Sequence, residues 1–440
     1  MSFLSADRDL TRHSYYDATV ERPQPRPSLA GSIECDVAVV GGGLAGLSAA
    51  IELADRGYDV ALLEARQVGW GASGRNGGQV IAGLACDQST VESLLGIDEA
   101  RRIWSMTLEA IDLIHERRDR FGIDCEWQPG FLAAAVNAKK GRELKRWQDD
   151  MERLYGHRTT WIPPSDMPLC IASPRYHSGL FDARSGHLHP LKYSIGLAQA
   201  AATLGVRLYE DTPVTRLVPG PTARLETPQG AVRASHALLA GNVYLQGVAP
   251  VLEPRIMPVG TYIVASQALD PPLARSLIPS RAAVSDTNFV LDYFRPTVDH
   301  RMLYGGRISY STATPLNLAQ SMQRRMAATF PQLAGTKVEY AWGGFVDISM
   351  NRAPDFGRLA DVAGGRGSGF ENVYYLQGFS GHGLALTGLA GKLVAEAIDG
   401  DASRFDVFAR IRHRPFPGGR LLRMPALVAG MAYYRLRDLL

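Results

Sequence analysis

The 440-residue chain has few cysteines and no long apolar run. Its four cysteines, Cys35, Cys86, Cys125 and Cys170, form no Cys-x-x-Cys pair. That spacing argues against a zinc centre or a disulfide framework and is typical of a reducing compartment. No segment approaches the roughly 18 uncharged apolar residues of a membrane-spanning helix, and the polar N-terminus lacks the apolar core of a signal peptide. We therefore expect a cytoplasmic protein without a transmembrane segment.

The chain also lacks a large excess of charge of either sign, because its 47 basic and 44 acidic residues give a net charge of only +3. No basic stretch is interleaved with aromatic residues, so nucleic acid is not an expected partner. The chain shows no internal repeat and no low-complexity tract. Its length is sufficient for two domains with a large buried core.

Glycine is abundant, and its first cluster follows an apolar strand. The segment Asp36–Val40 runs into Gly41-Gly42-Gly43-Leu44-Ala45-Gly46 and then into a helical pattern. In such a unit Gly41 allows a tight turn, Gly43 admits a pyrophosphate and Gly46 lets the helix pack on the strand. Glu64 ends the next strand, where an acid takes ribose hydroxyls. The pattern favours dinucleotide binding over a plain structural turn.

Two further glycine-rich loops point to a flavin rather than a nicotinamide. One reads Gly71-Ala72-Ser73-Gly74-Arg75-Asn76-Gly77-Gly78, and the other Gly378-Phe379-Ser380-Gly381-His382-Gly383. The second again follows an apolar strand and precedes a helix, which is an arrangement that binds anionic groups through backbone N–H donors. No second Gly-x-Gly-x-x-Gly occurs, so a separate nicotinamide domain is not indicated. A flexible surface loop is the alternative for residues 71–78.

The order of predicted elements indicates a discontinuous cofactor domain with a sheet-rich substrate domain inserted. We assign residues 33–86, 185–250 and 340–400 to the cofactor domain, and residues 87–184 and 251–339 to the substrate domain. Residues 1–32 are predicted to be an irregular lead-in, and residues 401–440 a tail that packs on the body. Within these segments the patterns predict a strand pair in 125–136, helices over 190–204 and 315–330, and strands over 260–264, 289–293 and 302–306, with another near 340.

These motifs together resemble the D-amino-acid oxidase family of FAD oxidoreductases. Within it the chain is most similar to bacterial oxidases of gamma-glutamyl polyamines, on the basis of the following segments: Ser14-Tyr15-Tyr16, Gly186-His187-Leu188-His189-Pro190, Ala240-Gly241-Asn242 and Pro415-Phe416-Pro417-Gly418-Gly419-Arg420. The resemblance implies an α/β fold, α+β overall. A doubly wound, Rossmann-like FAD domain is joined to a substrate domain built on a mixed or antiparallel sheet.

The resemblance also implies an activity. The terminal primary amine of gamma-glutamylputrescine, or of a close gamma-glutamyl polyamine, gives a hydride to flavin N5. The imine hydrolyses to aldehyde and ammonia, and O₂ reoxidises the flavin with release of hydrogen peroxide. Some relatives attach FAD to a cysteine in the C-terminal half, but the last cysteine here is Cys170, so noncovalent FAD is expected. Alternatives are an oxidase or dehydrogenase of another amino acid or secondary amine, and a FAD-binding domain that serves RNA modification or assembly. The oligomeric state stays open.

Carried over by motif, the resemblance implies a set of cofactor contacts. Gly41, Gly43 and Gly46 would hold the pyrophosphate, with Leu44 and Ala45 beside them, and Glu64 would take the ribose. Ala72, Ser73, Arg75, Asn76, Gly77 and Gly78 would line the isoalloxazine, flanked by Gly71 and Gln79. Val214 would contact the adenine side, with Ala65, Arg66, Ala240 and Gly241 as further contacts. Gly378, Phe379, Ser380, Gly381, His382, Gly383 and Leu384 would lie at the pyrimidine edge.

The substrate side is expected to involve His382, Tyr293 and Arg352. Arg352 would clamp a glutamyl carboxylate, or form a surface salt bridge. Relatives that act on N-methyl amino acids carry a lysine just after the C-terminal loop, whereas Leu384-Ala385-Leu386 stand here. This difference disfavours a carboxylate beside the reacting carbon.

Other polar and aromatic residues have two readings. Five aromatic residues are expected to form either an aromatic wall over the flavin or part of the ordinary core: Tyr262, Tyr293, Tyr304, Tyr310 and Trp342. Arg307 or His382 would supply positive charge for oxygen activation, and Asp347 either orients an ammonium group or caps a turn. His187 and His189 are predicted to be packing residues, because no metal-ligand spacing surrounds them. The stretch 421–440 is predicted to pack on its own domain rather than on a membrane or a partner.

Overall fold

Two β-sheets, each next to its own hydrophobic core, organise the chain. The structure is a computed structural model, and it describes residues 14–245, 247–288, 290–309 and 317–417. Several predicted features lie outside the described residues: Tyr310, the side chain of Arg307, the first residues of the helix predicted over 315–330, and the tail segment 421–440.

In chain order the strands are β1 (Gly31–Val40), β2 (Val60–Leu63), β3 (Gln79–Val80), β4 (Gln128–Ala135), β5 (Thr160–Ile162), β6 (Ser178–His187), β7 (Arg207–Tyr209), β8 (Arg216–Val218), β9 (Ala223–Glu226), β10 (Gly230–Leu239), β11 (Ile256–Ser266), β12 (Ala283–Asp286), β13 (Tyr293–Pro296), β14 (Met302–Ser309), β15 (Val338–Ser349), β16 (Asp355–Arg358) and β17 (Val373–Gln377). The helices are α1 (Tyr15–Ala18), α2 (Leu44–Asp55), α3 (Gln88–Leu95), α4 (Ile97–Phe121), α5 (Ala138–Tyr155), α6 (Met167–Cys170), α7 (Pro190–Thr203), α8 (Pro271–Leu277), α9 (Leu318–Thr329), α10 (Leu386–Ile398) and α11 (Phe405–Ala409).

The first sheet has the order β16-β17-β10-β1-β2-β7, with β9 and β8 added beside β10. Strands β17, β10, β1, β2 and β7 run parallel. Their carboxyl ends therefore meet at one edge, which is where open α/β sheets bind ligands. The loops that leave this edge are residues 41–43 after β1, 64–66 after β2, 240–242 after β10 and 378–383 after β17.

Helices α2 and α10 follow the first and last of these loops and pack side by side. Small residues make the approach possible, because a Cβ on Gly391 would lie 2.6 Å from both the Ala45 carbonyl oxygen and the Ala49 nitrogen. The Ser48 hydroxyl donates to the Gly388 carbonyl across the same interface. As a result, the N-termini of the two helices open toward the same edge of the first sheet.

The second sheet has the order β15-β11-β14-β13-β12-β4-β6-β3, with β5 beside β6. Only β12 and β4 run parallel among its pairs within the described chain, so the sheet is mixed and largely antiparallel. Helix α9 packs on one face through Met322 and Met326, in the core that contains Tyr262 and Tyr304. The fold class predicted from the sequence is confirmed.

The sheets correct several element predictions. The strand pair predicted in 125–136 is a single strand, β4, which pairs with β6 and β12. The strand predicted over 289–293 instead begins at Tyr293, after an unpredicted strand, β12. The reason is Asp286, because its Oδ1 accepts N–H groups of Asn288 and Asp292 at 3.1 Å each. This carboxylate closes a turn where the apolar composition suggested a strand.

The predicted domain boundaries also differ from the sheet boundaries. Strand β15 pairs along its whole length with β11, so the chain leaves the second sheet after Ser349 rather than at residue 340. Strand β6 continues the second sheet to His187, beyond the predicted boundary at 184. Helix α4, placed with the substrate domain from sequence, packs in the core of the first sheet through Ile103, Ile111 and Ile114. Strand pairing and helix docking are tertiary facts that local pattern does not encode.

Candidate functional site

Two helix N-termini without a capping side chain define the candidate site. Helix α2 is preceded by Gly43 and helix α10 by Ala385, and neither residue supplies a side-chain hydrogen bond to the first turn. Helices α5 and α7 are capped by Asn137 and His189, but several other helices also lack such a cap. What distinguishes α2 and α10 is that they follow loops at the carboxyl edge of the first sheet. An uncapped helix start leaves N–H donors and a positive dipole end for an anionic or electron-rich group.

The turn after β1 is shaped for close approach. Gly41 has φ 110°, and a Cβ there would lie 2.6 Å from the Ala240 carbonyl oxygen, so only glycine fits. A Cβ on Gly43 would lie 2.7 Å from Ser73 Oγ, and this hydroxyl accepts the Leu44 N–H at 3.0 Å. The first loop and the 71–78 loop therefore meet at the start of α2. Ala45 and Gly46 lie in its first turn and are buried.

Glu64 ends β2 beside this turn. Its Oε2 accepts the Gly42 N–H at 2.6 Å, and its Oε1 accepts the Arg66 N–H at 2.8 Å. Burial raises the pKa of Glu64, while these N–H donors oppose the rise. The carboxylate therefore stands at the mouth of the dinucleotide turn, where ribose hydroxyls are expected.

A cavity of about 320 Å³ opens beside Ala65, the residue that follows Glu64. Ala65 and Arg66 line one side, and Asp211 and Thr212 line another. The two sides are joined, because the Asp211 N–H donates to the Arg66 carbonyl at 2.8 Å. Val214, predicted to lie on the adenine side, is partly buried in the neighbouring core. The space lies directly after β2 and has a mixed polar and apolar lining, which suits the adenosine end of a dinucleotide.

The 71–78 loop connects the first sheet with the second. The Arg75 side chain, 7% exposed, lies over the Trp70 ring at 4.6 Å from its centroid and contacts the Gly343 carbonyl. Its backbone carbonyl accepts the Trp342 Nε1–H at 2.8 Å. The side chain of Arg75 thus contacts Trp70 and β15, and its place beside the isoalloxazine stays a prediction.

Polar contacts hold the second half of this loop. Asn76 Oδ1 accepts the Gly78 N–H at 2.8 Å, and its Nδ2 donates to the Ala72 carbonyl at 2.9 Å. The Tyr16 hydroxyl donates to the Asn76 carbonyl at 2.8 Å, and Arg295 Nε donates to the Gly77 carbonyl at 2.8 Å. Gln79 Nε2 donates to the Val284 carbonyl at 3.0 Å and so faces the second sheet. Gly71 packs near the Tyr244 ring.

Sequence reasoning missed Arg295 as a support of this loop. Arg295 is 3% exposed and also donates to the Tyr16 hydroxyl at 3.0 Å. The available signal was a single charge inside an otherwise apolar strand, Tyr293-Phe294-Arg295-Pro296. A buried arginine in such a place needs hydrogen-bond acceptors, and loop carbonyls provide them.

The C-terminal loop is held by the second sheet and by the segment after β3. Gly378 and Ser380 have φ values of 76° and 54°. The Gly378 N–H donates to Asp347 Oδ2, and the Ser380 N–H donates to the Asp347 carbonyl. Asp347 thus caps this loop, which is one of its two predicted roles. Phe379 packs on Phe356, and Leu384 is buried in the first core.

His382 lies inside this loop and is oriented by a backbone carbonyl. Its Nε2 lies 3.2 Å from the Ala82 carbonyl oxygen, which indicates that Nε2 carries the proton and donates to this carbonyl. Burial lowers the pKa of His382, and nearby Arg352 lowers it further. His382 is therefore neutral at pH 7, which argues against it as the source of positive charge for oxygen activation.

Arg352 reaches the same region from the turn after β15. The turn places Arg352 at φ 61°, and the Arg352 N–H donates to the Ser349 carbonyl at 3.1 Å. Its positive charge lowers the pKa of both His382 and Cys86, although burial raises the pKa of Cys86 overall to about 11. The structure therefore places the charge of Arg352 within electrostatic range of His382 and of the Cys86 thiol.

Tyr293 begins β13 of the second sheet, and its ring faces the 71–78 loop. A Cβ on Gly77 would lie 2.7 Å from Tyr293 Cε2, and burial raises the pKa of this tyrosine. Tyr262 and Tyr304, in contrast, are core residues on the α9 side, and the Tyr304 hydroxyl lies 2.8 Å from Thr329 Oγ1. Trp342 is 1% exposed and packs on Tyr16 in a further core, so it too is a core residue.

His187 and His189 occupy packing positions, as predicted. His189 Nδ1 accepts the Lys192 N–H at 3.2 Å and caps α7, and His187 Nε2 donates to the Arg281 carbonyl at 2.9 Å. Burial lowers the pKa of each histidine to about 3. No cluster of metal-ligating side chains occurs among the residues that the structure describes. In the described part of the chain, no helix is both long and apolar enough to span a bilayer.

The chain matches known proteins along most of its length. The profile of the family described as "DAO: FAD dependent oxidoreductase" matches residues 36–397. Gamma-glutamylputrescine oxidoreductase of Escherichia coli (strain K12) is 43% identical over 98% of this chain and 99% of its own length. The probable oxidoreductase OrdL of Haemophilus influenzae is 35% identical over 97% of each chain. The crystal structure of glycine oxidase from Geobacillus kaustophilus superposes with a TM-score of 0.71 at 22% identity, covering 83% of this chain and 95% of the other.

Proposed function

The chain belongs to the DAO family of FAD-dependent oxidoreductases, and we propose that it oxidises the terminal primary amine of gamma-glutamylputrescine or a close gamma-glutamyl polyamine. The products are an aldehyde, ammonia and, with O₂ as acceptor, hydrogen peroxide. The observation that supports this choice of substrate is the full-length similarity to the Escherichia coli gamma-glutamylputrescine oxidoreductase.

The carboxyl edge of the first sheet would hold the cofactor. The start of α2 would hold the pyrophosphate, Glu64 the ribose, and the cavity beside Ala65 and Arg66 the adenine; the helix start and the cavity support this proposal. Residues 71–78 and 378–384 would enclose the isoalloxazine. We expect noncovalent attachment, because some relatives attach FAD to a cysteine in the C-terminal half and the last cysteine of this chain is Cys170.

Bound FAD supplies the two-electron oxidation of the amine C–N bond. The chain contributes orientation and electrostatics around it. The start of α10 directs N–H groups and a positive dipole end toward the place where negative charge gathers on reduction. Tyr293 closes one wall and excludes water. The reacting amine must lose its proton before it can release a hydride, so the rate is expected to rise with pH.

Arg352 is proposed to bind the remote glutamyl carboxylate. In a gamma-glutamyl amine the carboxylate is many bonds from the oxidised carbon, so its partner belongs at a distance from the flavin. Arg352 projects from a turn beside the C-terminal loop rather than from the loop itself. Leu384-Ala385-Leu386 follow this loop without a lysine, which disfavours substrates such as sarcosine.

The test is a substrate screen with the purified, FAD-loaded protein. Peroxide, ammonia and aldehyde are measured for gamma-glutamylputrescine, putrescine, glycine and sarcosine, first with O₂ and then with an artificial electron acceptor. We expect stoichiometric peroxide and the highest kcat/KM with the gamma-glutamyl amine. Turnover with the artificial acceptor but not with O₂ would show a dehydrogenase. Faster turnover of sarcosine, glycine or free putrescine would refute the substrate.

A further inference from the structure

Asp347 is a buried carboxyl group that the proposed amine oxidation does not use. It lies near the end of β15 and is 2% exposed. Its Oδ2 accepts the Gly378 N–H, and its backbone carbonyl accepts the Ser380 N–H at 2.9 Å. A single residue of the second sheet thereby fixes two positions of the C-terminal glycine loop.

The same carboxyl group reaches the segment after β10. The Asn242 side chain and the Phe379 N–H lie close enough to it to lower the pKa of this carboxyl group, against the larger rise that burial causes. Asn242 has φ 53° and directly follows the Ala240–Gly241 pair that closes over the first glycine turn. Asp347 therefore joins two of the loops that leave the carboxyl edge of the first sheet.

These contacts decide which N–H groups of the C-terminal loop are available to a ligand. Gly378 and Ser380 donate to Asp347, and His382 donates to the Phe379 carbonyl. Within the described chain, the N–H groups of Gly383 and Leu384 donate to no protein acceptor. They lie immediately before α10, where the positive end of the helix dipole adds to their effect.

We infer that Asp347 is a positioning residue for the flavin: by accepting the Gly378 N–H it sets the loop so that the donors before α10 face the pyrimidine edge of the ring. The inference rests on the proposed placement of the flavin. Preorganised donors at that edge stabilise the negative charge of the reduced ring. Asp347 acts through the loop and does not itself contact the cofactor.

This role requires an acceptor at Oδ2 and not a negative charge. Burial raises the pKa of Asp347 to about 7, so its neutral form is already accessible near neutral pH. An asparagine has the same shape and keeps a carbonyl acceptor. A leucine keeps the volume but leaves the Gly378 N–H buried and unpaired, which is costly.

The test compares Asp347→Asn, Asp347→Leu and a control, Asp292→Asn. Asp292 is a fully buried carboxylate whose side chain pairs with Arg175 and with Arg325 of α9 rather than with residues of the cofactor loops. For each FAD-loaded protein we would measure FAD affinity, the reduction potential by equilibration with a reference dye, and the melting temperature. These readouts need no amine substrate, so they stay informative if the proposed substrate is wrong.

We expect Asp347→Leu to weaken FAD binding about 5- to 150-fold and to make the potential more negative. Asp347→Asn should retain both properties, and Asp292→Asn should lower only the melting temperature. Wild-type affinity and potential in Asp347→Leu would overturn the inference. Equal impairment of the Asn and Leu variants would also overturn it, because charge rather than an acceptor would then matter.

If Asp347→Leu fails to fold, Asp347→Ala removes the acceptor with less steric demand and takes its place. A wild-type potential in Asp347→Ala would refute the inference equally. A wild-type protein that binds FAD but oxidises no gamma-glutamyl amine would refute only the proposed substrate.

Discussion

Replacement of Gly43 tests whether the first glycine loop holds the cofactor or is only a turn. A Cβ at this position would lie 2.7 Å from Ser73 Oγ, against 3.4 Å for an ordinary contact, so Ser73 must retreat by about 0.7 Å. The retreat breaks the hydrogen bond from the Leu44 N–H, which costs about 0.5–1.5 kcal/mol. A valine in place of glycine at a helix N-cap costs about another 1 kcal/mol.

Gly43→Val should therefore lower the free energy of unfolding of the apoprotein by about 1.5–2.5 kcal/mol. FAD retention should fall much further, because the added carbons occupy the space of the pyrophosphate. Gly335→Ala is the control, since a Cβ at Gly335 meets nothing within 4 Å. Flavin absorbance of the purified protein and urea unfolding measure the two effects separately.

A double variant separates the two explanations. Ser73→Ala in the Gly43→Val background removes the hydroxyl that the new side chain displaces, so part of the stability should return. FAD binding should not return, because the pyrophosphate is still excluded. Restoration of FAD binding by Ser73→Ala would show that the defect lay in the turn, and normal flavin content in Gly43→Val would refute a cofactor role for this loop.

Three further predictions concern the substrate, the pH dependence and the helix interface. Arg352→Ala should raise the KM for gamma-glutamylputrescine about 10- to 150-fold, and the KM for a monoamine without a carboxylate far less. Arg352→Lys should have an intermediate effect. Equal effects on both amines would show that Arg352 does not bind the substrate. His189 is held neutral in the folded state, so its contribution to stability is present above pH 6.5 and is lost as the pH falls toward 3. His189→Asn, which can still cap α7, should remove about 2 kcal/mol of the difference in unfolding free energy between pH 7 and pH 5. An unchanged difference would contradict the burial argument. Gly391→Ala should cost about 1–3 kcal/mol and reduce FAD content by separating α2 from α10, and unchanged melting with full flavin would show that the close approach is not required.

The cofactor half of the fold was predictable because its signals are local. A strand, a glycine turn and a helix occur within residues 36–55, and the glycines report backbone conformations that few other residues adopt, as at Gly41. The second glycine loop and the acid at Glu64 were found for the same reason. Their convergence on one edge follows from the parallel order of the strands, which the family resemblance implied.

The substrate half was less predictable because its contacts join distant segments. Tyr262 and Tyr293 have similar local patterns, yet one packs under α9 and the other lies against Gly77. Strand β15 gives no local sign that it pairs with β11. Asp347 illustrates the same limit, since its role as a cap depends on a loop about thirty residues further along the chain.

Anaerobic mixing of the FAD-loaded protein with gamma-glutamylputrescine tests the central claim most directly. The visible flavin band is followed in single turnover, with sarcosine, glycine and putrescine as comparisons. The account predicts rapid and complete bleaching by the gamma-glutamyl amine, at a rate that rises with pH, and recovery of the band on admission of O₂. A flavin that stays oxidised with the gamma-glutamyl amine, or that sarcosine bleaches faster, would contradict it.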